Sequence, residues 1–355
     1  MTLLYPNPPL AAYPIEIVRN GQAGVNSTYS SGADWSIKLD RIGVLLRSEL
    51  RLKGEVATGA TANGTARTRN PLLLLGNKIG VRINGKEEQA AHPDLLYLRA
   101  CWRRGRNAKP ERDSLTTTEM DTDSTSYTFS VILPIDFAPP GINPDHVGAV
   151  ICQNTPDIEL FGTWGAVTAV ASSTTNHAIA NTSFLVFNER IQPNLTPDER
   201  ALGFGHYVCR QIEKSVTATE TMQIELPGGK AYSAIYFRAE AAATPEPSDS
   251  VFTDATGYIR IKRGSTVLYE RSLAAIKADT VSGLEYGETV TGWRVVDFLK
   301  RPQDLLGIMS RVWITQGSQP LLLEIDVTTS TGAKLHIMTE ELVDPVASAN
   351  QRYRM

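Results

Sequence analysis

The chain has 355 residues, of which 42% are hydrophobic and 21% are charged, and its formal net charge is −3. This length predicts two domains or one large one, and the apolar content is that of a folded chain with packed cores. The small negative charge excludes nucleic-acid binding that depends on bulk positive charge. The first ten residues have no basic region and hold three prolines, so a signal peptide is not expected. The apolar runs are too short to span a bilayer.

The beginning of the chain predicts an arm followed by short strands. Residues 1–14 are rich in proline and predict an extended arm. Strands are predicted at 15–18, 35–39 and 43–56, where apolar and polar residues alternate. The alternation at 43–56 is imperfect, and a strand is preferred to a helix because Gly and Thr residues close the run. Residues 58–70 are small and polar, which is typical of a loop.

An Asn-Gly pair marks a hairpin in the first half. Residues 80–83 alternate and lead into Asn84-Gly85, a favoured pair for a two-residue hairpin turn. A further strand is predicted at Leu95–Trp102. The stretch Arg103–Asp123 is charged and rich in Thr, so it is expected to project from the body as a long loop.

One short pattern occurs twice. Ile135-Asp136-Phe137 precedes a turn at Pro144–Gly148, and Val296-Asp297-Phe298 precedes a turn at Pro302–Gly307. Each copy predicts a strand that ends in Asp-Phe, followed by one short helical turn. Proline suits the first position of such a turn, and glycine suits its end.

The elements around the two copies follow the same order. Three elements of the second half match elements of the first half: 222–226 matches 36–39, 234–238 matches 44–47, and 258–264 matches 79–85. Further strands are predicted at 127–135, 158–170 and 184–187, and at 311–315, 321–327 and 335–338. The spacing between matching positions shortens along the chain, which indicates a duplicated fold with longer loops in the first half.

The sequence therefore predicts an all-β protein of two halves, each with roughly eight short strands, short helical turns and long loops, in a closed or double-sheet architecture such as a jelly roll. No long helices alternate with the strands, which excludes a parallel α/β fold. The predicted domains are an N-terminal arm at 1–14, a first jelly roll at 15–195, a second jelly roll at 196–342 and a C-terminal arm at 343–355. A hinge is predicted at 192–203, where a capping box starts a short helix.

The residue patterns predict no catalytic site, no cofactor site and no metal site. Asp136 and Asp297 lie at equivalent places in two domains, so each is expected to cap the following turn or to pair with an arginine, and not to form an acid pair. The cysteines show no paired spacing, which favours a reducing compartment, and are expected to be small core residues: Cys101, Cys152 and Cys209. The histidines lack the spacing of a zinc site: His92, His146, His177, His206 and His336.

A run of carboxylates, Glu119, Asp121 and Asp123, is the nearest approach to a calcium loop. If Asp121 were the first ligand, the sixth and twelfth positions would be Ser126 and Ile132. A calcium loop of this kind needs glycine and glutamate there. No metal site is therefore predicted.

Two groups of side chains could form binding surfaces. The basic residues near Trp102 could contact lipid headgroups or nucleic acid, but Glu111 and Asp113 interrupt them, so a solvated loop or salt bridges to a neighbouring subunit are expected. These basic residues are Arg99, Arg103, Arg104, Arg106, Lys109 and Arg112. The tryptophans could stack on sugars, but most fall within predicted strands and are expected in the core. They are Trp35, Trp102, Trp164, Trp293 and Trp313.

The two β-rich halves, each with its Asp-Phe strand and following turn, resemble the double jelly-roll major capsid proteins of tailless icosahedral dsDNA viruses with an internal membrane, such as tectivirus- and corticovirus-like phages. The resemblance is architectural and spans residues 15–342. It implies two consecutive eight-stranded jelly rolls, a double jelly roll. It implies a structural protein without enzymatic activity, which forms a homotrimer and hence a pseudo-hexagonal capsomer. An N-terminal amphipathic helix facing the membrane is not evident in this sequence, which is a departure from the family.

The resemblance also implies partners and a location. The partners are neighbouring capsid trimers, minor capsid or penton proteins, and the internal membrane, which the terminal arms would contact; sequence-specific nucleic-acid binding is not implied. The implied location is the virion shell, after synthesis in the host cytoplasm. The loops 103–123 and 241–250 would form towers or contacts between subunits, and the basic tail at 351–355 would be a contact arm.

Two other functions fit a pair of β-rich halves. A two-jelly-roll glycan hydrolase or carbohydrate-binding protein would bring two carboxylates roughly 5 to 9.5 Å apart across a cleft. A virion spike or receptor-binding protein would be an elongated trimer and a minor component of the particle. The absence of a signal peptide argues against a secreted hydrolase.

Overall fold

The computed structural model describes residues 14–22, 24–25, 28–58, 71–104, 127–138, 149–152, 157–170, 177–192, 206–228, 230–241, 247–284, 291–298, 313–314, 320–328 and 332–343. The described residues fall into two compact units, a first unit up to Tyr207 and a second unit from Val208 to Val343. No helix in these ranges has the length and apolar character needed to cross a membrane.

The first unit consists of two antiparallel sheets. Its elements are β1 (Glu16–Arg19), β2 (Gly24–Val25), β3 (Asp34–Lys38), β4 (Val44–Thr58), β5 (Ile79–Ile83), β6 (Lys86–Ala91), α1 (Pro93–Arg104), β7 (Tyr127–Asp136), β8 (Val150–Ile151), β9 (Ile158–Thr163) and β10 (His177–Ile191). One sheet has the order β1-β10-β4-β7, with β8 paired to β4, and the other has the order β6-β5-β9-β3-β2. Short 3-10 helices occur at Pro71–Leu75 and Val167–Ala169.

The second unit repeats this arrangement. Its elements are β11 (His206–Val216), which begins at the end of the first unit, β12 (Glu220–Leu226), β13 (Ala231–Glu240), β14 (Tyr258–Arg263), β15 (Thr266–Ser272), α2 (Leu273–Leu284), β16 (Trp293–Asp297), β17 (Trp313–Ile314), β18 (Leu321–Val327) and β19 (Ala333–Val343). One sheet has the order β11-β19-β13-β16, with β17 paired to β13, and the other has the order β12-β18-β14-β15. A 3-10 helix occurs at Asp249–Val251.

The strand order identifies each unit as a jelly roll. Apart from the two-residue strands β2, β8 and β17, the described part of each unit contains eight strands. In both units, the first, eighth, third and sixth of these strands form one sheet, and the second, seventh, fourth and fifth form the other. This order is that of an eight-stranded double-sheet jelly roll. The prediction of an all-β double jelly roll is therefore confirmed.

Alternation along the strands builds the core between the two sheets of each unit. In β12, Met222, Ile224 and Leu226 are buried, while the residues between them are exposed. They pack in one cluster with apolar residues of the opposite sheet, such as Ile235 and Ile337. A shift of one residue in the register would expose the whole apolar face, so this pattern specifies the pairing strongly.

An aromatic cluster fills the corresponding space in the first unit. The rings of Trp164 and Phe184 stack with their centroids 4.9 Å apart, and Trp35 lies 4.7 Å from Phe184. Trp35 lies on β3 and Phe184 on β10, so the cluster joins the two sheets. Gly162 makes room for it, because a Cβ atom at this position would lie 2.6 Å from the Trp35 ring.

The hairpin predicted at the Asn-Gly pair is confirmed. β5 and β6 pair antiparallel around it, and Asn84 and Gly85 have φ angles of 53° and 77°. Positive φ at both central residues is the property of a type I′ turn, whose twist matches that of the flanking strands. The strands predicted at 15–18, 35–39 and 43–56 are confirmed as β1, β3 and β4.

The strand predicted at Leu95–Trp102 is wrong, because these residues lie in helix α1. The helix begins with Pro93, and the His92 side chain caps it by accepting a hydrogen bond from the Asp94 backbone N–H (3.2 Å). Leu95 to Cys101 are all buried, so no polar stripe marks the period of a helix. The strand predicted at 158–170 also ends earlier, at Thr163.

Several predicted features lie wholly or mostly outside the described residues. These are both terminal arms, the loops at 58–70 and 103–123, the carboxylates at 119–123, the hinge at 192–203, and the helical turns at 144–148 and 302–307. Of the loop predicted at 241–250, residues 242–246 also lie outside the described residues. In each unit, the helix that the structure describes lies before the Asp-Phe strand: α1 comes before β7, and α2 comes before β16.

Candidate functional site: buried charge clusters and exposed strand edges

Asp136, at the end of the first Asp-Phe strand, is part of an ion cluster across three strands. Arg47 on β4 lies opposite Asp136 on β7 and Glu189 on β10. Its Nε atom is 2.6 Å from Asp136 Oδ1, and its Nη1 atom is 2.5 Å from Glu189 Oε1. Burial opposes the charge of Arg47, but the two carboxylates raise its pKa above the ordinary value. The predicted arginine partner of Asp136 is therefore confirmed. In the strand register, Asp297 at the end of β16 lies opposite Ala234 of β13.

The solvated loop predicted for the basic residues near Trp102 is wrong for Arg99 and Arg103. Both side chains are buried in α1. The Arg99 Nη1 atom donates to the backbone oxygen of Asp136 (2.7 Å), which ties the helix to the end of β7. Buried arginines need such partners because an unpaired buried charge is very costly. The remaining basic residues from Arg106 onwards lie outside the described residues.

A second ion cluster surrounds Arg294 on β16. This side chain is fully buried, and its Nη2 atom lies 2.6 Å from both carboxylate oxygens of Asp254. Its Nη1 atom is 3.0 Å from Asp249 Oδ1, and Lys277 Nζ on α2 is 2.6 Å from Asp249 Oδ2. The guanidinium also lies over the Phe252 ring, 4.5 Å from its centroid. The cluster fastens α2 to the sheet and to the 3-10 helix.

The two carboxylates of this cluster do not form the acid pair of a glycan hydrolase. Asp249 accepts hydrogen bonds from Lys277 and from the Gly292 backbone N–H, and the bidentate contact with Arg294 occupies Asp254. Burial raises the pKa of Asp249, but the partners Lys277, Gly292 and Arg294 outweigh it and lower this pKa below its ordinary value. A glycosidase acid would need a raised pKa.

A third cluster places a buried histidine between two glutamates. His336 on β19 is 1% exposed, and its Nε2 atom lies 3.1 Å from Glu240 Oε1 on β13. Its Nδ1 atom lies 3.5 Å from Glu213 Oε2 on β11, and Arg238 forms an ion pair with Glu240. Burial opposes ionisation of Glu240, but His336 and Arg238 lower its pKa to about 2. Glu240 is therefore a carboxylate in neutral solution.

The other predicted site residues lie mostly in the core. Cys101, Cys152 and Cys209 are buried free thiols, and burial raises the pKa of Cys152 to about 12. The prediction that they are core residues is confirmed. Trp35, Trp164 and Trp293 are also buried, as predicted, so none of the three offers a sugar-stacking surface. Trp102 is half-buried on α1. The side chains of Trp313, His177 and His206, and residue His146, lie outside the described parts.

Metal ligands are not gathered anywhere in the described ranges, since no group of three or more His, Cys, Asp or Glu side chains could hold an ion there.

Several exposed apolar side chains, some of them on strands at sheet edges, were not predicted from the sequence. The exposed large apolar side chains of the described residues are Ile15, Ile17, Val25 and Ile42 in the first unit and Tyr258, Val267 and Leu268 in the second. β1 and β15 are both terminal strands of their sheets. β15 has no alternation, because five of its residues from Thr266 to Glu270 are exposed or half-buried on both faces. This loss of alternation is the signal that could have indicated an open edge.

No family model and no curated protein sequence matches the chain. Solved structures do. The chain is 16% identical to the major capsid protein of Sulfolobus Turreted Icosahedral Virus, with a TM-score of 0.67, over 95% of this chain and 98% of that chain. It is 12% identical to VP54 of PBCV-1, with a TM-score of 0.61, over 96% and 95% of the two chains.

A third similar structure is that of the major capsid protein P2 from bacteriophage PM2. It is 14% identical to this chain, with a TM-score of 0.52, over 93% of this chain and 98% of that chain. Such low identities establish similarity of fold. The chain therefore has a double jelly-roll fold, and it shares this fold over nearly its whole length with major capsid proteins of viruses.

Proposed function

We propose that the chain is a major capsid protein that forms the shell of an icosahedral virion. The observation that carries this proposal is the duplicated strand order, in which both units repeat the same two four-stranded sheets. Similarity over more than nine-tenths of the chain to viral major capsid proteins supports it. Such a protein acts through its shape and its contacts, without catalysis or a cofactor.

In this proposal three copies form a homotrimer, and their six jelly rolls build one pseudo-hexagonal capsomer. Closed rotational symmetry is the usual arrangement of such oligomers, because every copy then uses the same surfaces. The jelly rolls would comprise residues 15–195 and 196–342. The arms at 1–14 and 343–355 would contact neighbouring trimers, minor capsid or penton proteins, and an internal membrane. The virus would be a tailless dsDNA virus, and the chain would be made in the host cytoplasm.

The test is the mass and outline of the purified chain. We expect light scattering to give three times the chain mass of 38.8 kDa. Electron microscopy should then give a particle with a six-sided outline. In purified virions, the chain should be the dominant protein band. A monomer that cleaves glycans, or a minor virion component of elongated shape, would contradict the proposal and favour the hydrolase or the spike.

The membrane contact is tested separately. Virions opened by mild detergent should lose their lipid, and the chain should co-float with vesicles only when its arms are present. A variant without residues 1–14 and 343–355 is the matched control. Equal flotation of both forms would contradict a role of the arms in membrane contact.

A further inference from the structure

The two units have the same strand arrangement, but a different terminal strand is exposed in each of them. β15 and α2 of the second unit correspond to β6 and α1 of the first, since each strand is the second strand of a hairpin and each helix precedes an Asp-Phe strand. In the first unit the pair is buried, as shown by Gln89 at 2% and Ala91 at 0% exposure. In the second unit Val267 is 46% and Leu268 is 39% exposed. The outward residues Ala274, Ala278 and Ser282 of α2 are also exposed.

The first strand of each unit shows the reverse: it is buried in the second unit and exposed in the first. β11, the first strand of the second unit, is buried at Tyr207, Val208 and Cys209. β1, the first strand of the first unit, has Ile17 at 68% exposure, and Ile15 just before it is 55% exposed. Both β1 and β15 are terminal strands, and within the described residues β1 pairs only with β10 and β15 only with β14. Open apolar edges of this kind favour pairing with another chain.

We propose that β1 of one copy docks on the surface formed by β15 and α2 of a second copy. This inference rests on the proposed trimer and names the surfaces that meet in it. The occupant is a second copy because each chain carries both surfaces, and because the equivalents of both are buried in the duplicated unit. A contact between two different surfaces of identical chains is head-to-tail, and it closes into a ring when the rotation allows.

Both surfaces also carry charged side chains. β1 exposes Arg19, while Glu270 of β15 and Asp279 of α2, whose side chains are 48% and 47% exposed, already form ion pairs with Arg260 and Arg271 of the same unit. Arg19 of a second copy would join existing ion pairs, so the open strand edges and their apolar side chains carry the contact. The apolar residues Ile17 and Leu268 would lie at the centre, where water is excluded.

Cysteine cross-linking between copies tests the proposal directly. We expect a mixture of Ile17→Cys and Leu268→Cys chains to form covalent dimers with a short bismaleimide, which tolerates small differences in register. The three native cysteines are buried and should not compete. The control pairs Ile17→Cys with Glu225→Cys, which is exposed on β12, the opposite edge of the same sheet. This control mixture and each single variant should stay uncross-linked.

The outcomes separate this inference from the proposed function. A trimer with the Ile17–Leu268 cross-link supports both. A trimer without this cross-link, or with equal cross-linking to Glu225→Cys, overturns the docking surfaces and leaves the capsid function standing. A monomer at all concentrations overturns the docking and contradicts the trimer as well. As a second measurement, Leu268→Asp should convert trimers to folded monomers, whereas Glu225→Asp should leave them unchanged.

Discussion

Replacing Glu240 with Gln is expected to lower the free energy of unfolding in neutral solution. It should also remove part of the pH dependence of that free energy. The Glu240 carboxylate lies beside Arg238 on the same strand, β13, and 3.1 Å from the His336 imidazole on the adjacent strand, β19. These partners lower its pKa to about 2, although burial alone would raise it. Because the folded-state pKa is lowered, the ionised form contributes stability above the unfolded pKa of 4.5, and this stability is lost as the pH falls towards 2.

The size of the effect follows from the two pKa values. The difference between 4.5 and about 2 corresponds to about 3 kcal/mol of stabilisation in neutral solution. The side chain of Glu240 is 12% exposed, so solvent screens the interaction little. Glu240→Gln should therefore be less stable than the parent chain at pH 7 by about this amount, and the gap should narrow steadily below about pH 4.5.

Urea unfolding of both chains at several pH values, followed by circular dichroism at one fixed protein concentration, measures this gap. The matched control is Glu213→Gln. Glu213 lies on the other side of His336, at 3.5 Å, but its side chain is 37% exposed. Such an exposed pair should contribute no more than about 1 kcal/mol. A loss for Glu240→Gln that is equal at pH 7 and pH 3 would refute the electrostatic explanation and indicate a loss of packing.

Two further substitutions test the buried ion cluster and the aromatic cluster. Arg294→Ala should destabilise the chain by about 3 kcal/mol, because it removes a fully buried guanidinium and leaves two half-buried carboxylates short of a partner. Arg260→Ala removes a more exposed ion pair and should cost about 1 kcal/mol or less in the same urea titration. Gly162→Ala should cost about 1 to 3 kcal/mol and change the near-UV circular dichroism, because the new Cβ atom would lie 2.6 Å from the Trp35 ring. In Gly21→Ala the new Cβ atom would lie 3.6 Å from the nearest atoms, so this substitution should change neither the stability nor the near-UV circular dichroism. Equal losses in either pair would contradict the explanation given for it.

The sequence alone predicts much of the strand architecture. Period-two alternation is a local property, and it placed strands such as β3 and β12 because their apolar faces meet the opposite sheet. The Asn84-Gly85 pair predicted its hairpin, because few other residues adopt positive φ at both turn positions. The repeated order of elements then led to the double jelly roll, even though matching segments share few residues.

Helices α1 and α2 were missed for two physical reasons. The residues of α1 are buried on nearly every side, so the helix lacks the polar stripe from which its period could be inferred. The signals that remained were Pro93 at its start, Asp94 in its first turn and the arginines at its end. In α2, small residues such as Ala274 and Ala278 cover the outer face, so the apolar pattern is weak.

The strand periods, the hairpin turn and the duplicated order are encoded locally, because they depend on neighbours a few residues apart. Which charged side chains contact one another depends on the tertiary structure. Arg47 contacts Asp136 and Glu189 across 89 and 142 residues of sequence. Tertiary structure also decided which of two equivalent strands is open: β6 is buried and β15 is exposed, although each ends a hairpin. Burial of an edge depends on what packs against it, and no local pattern encodes that neighbour.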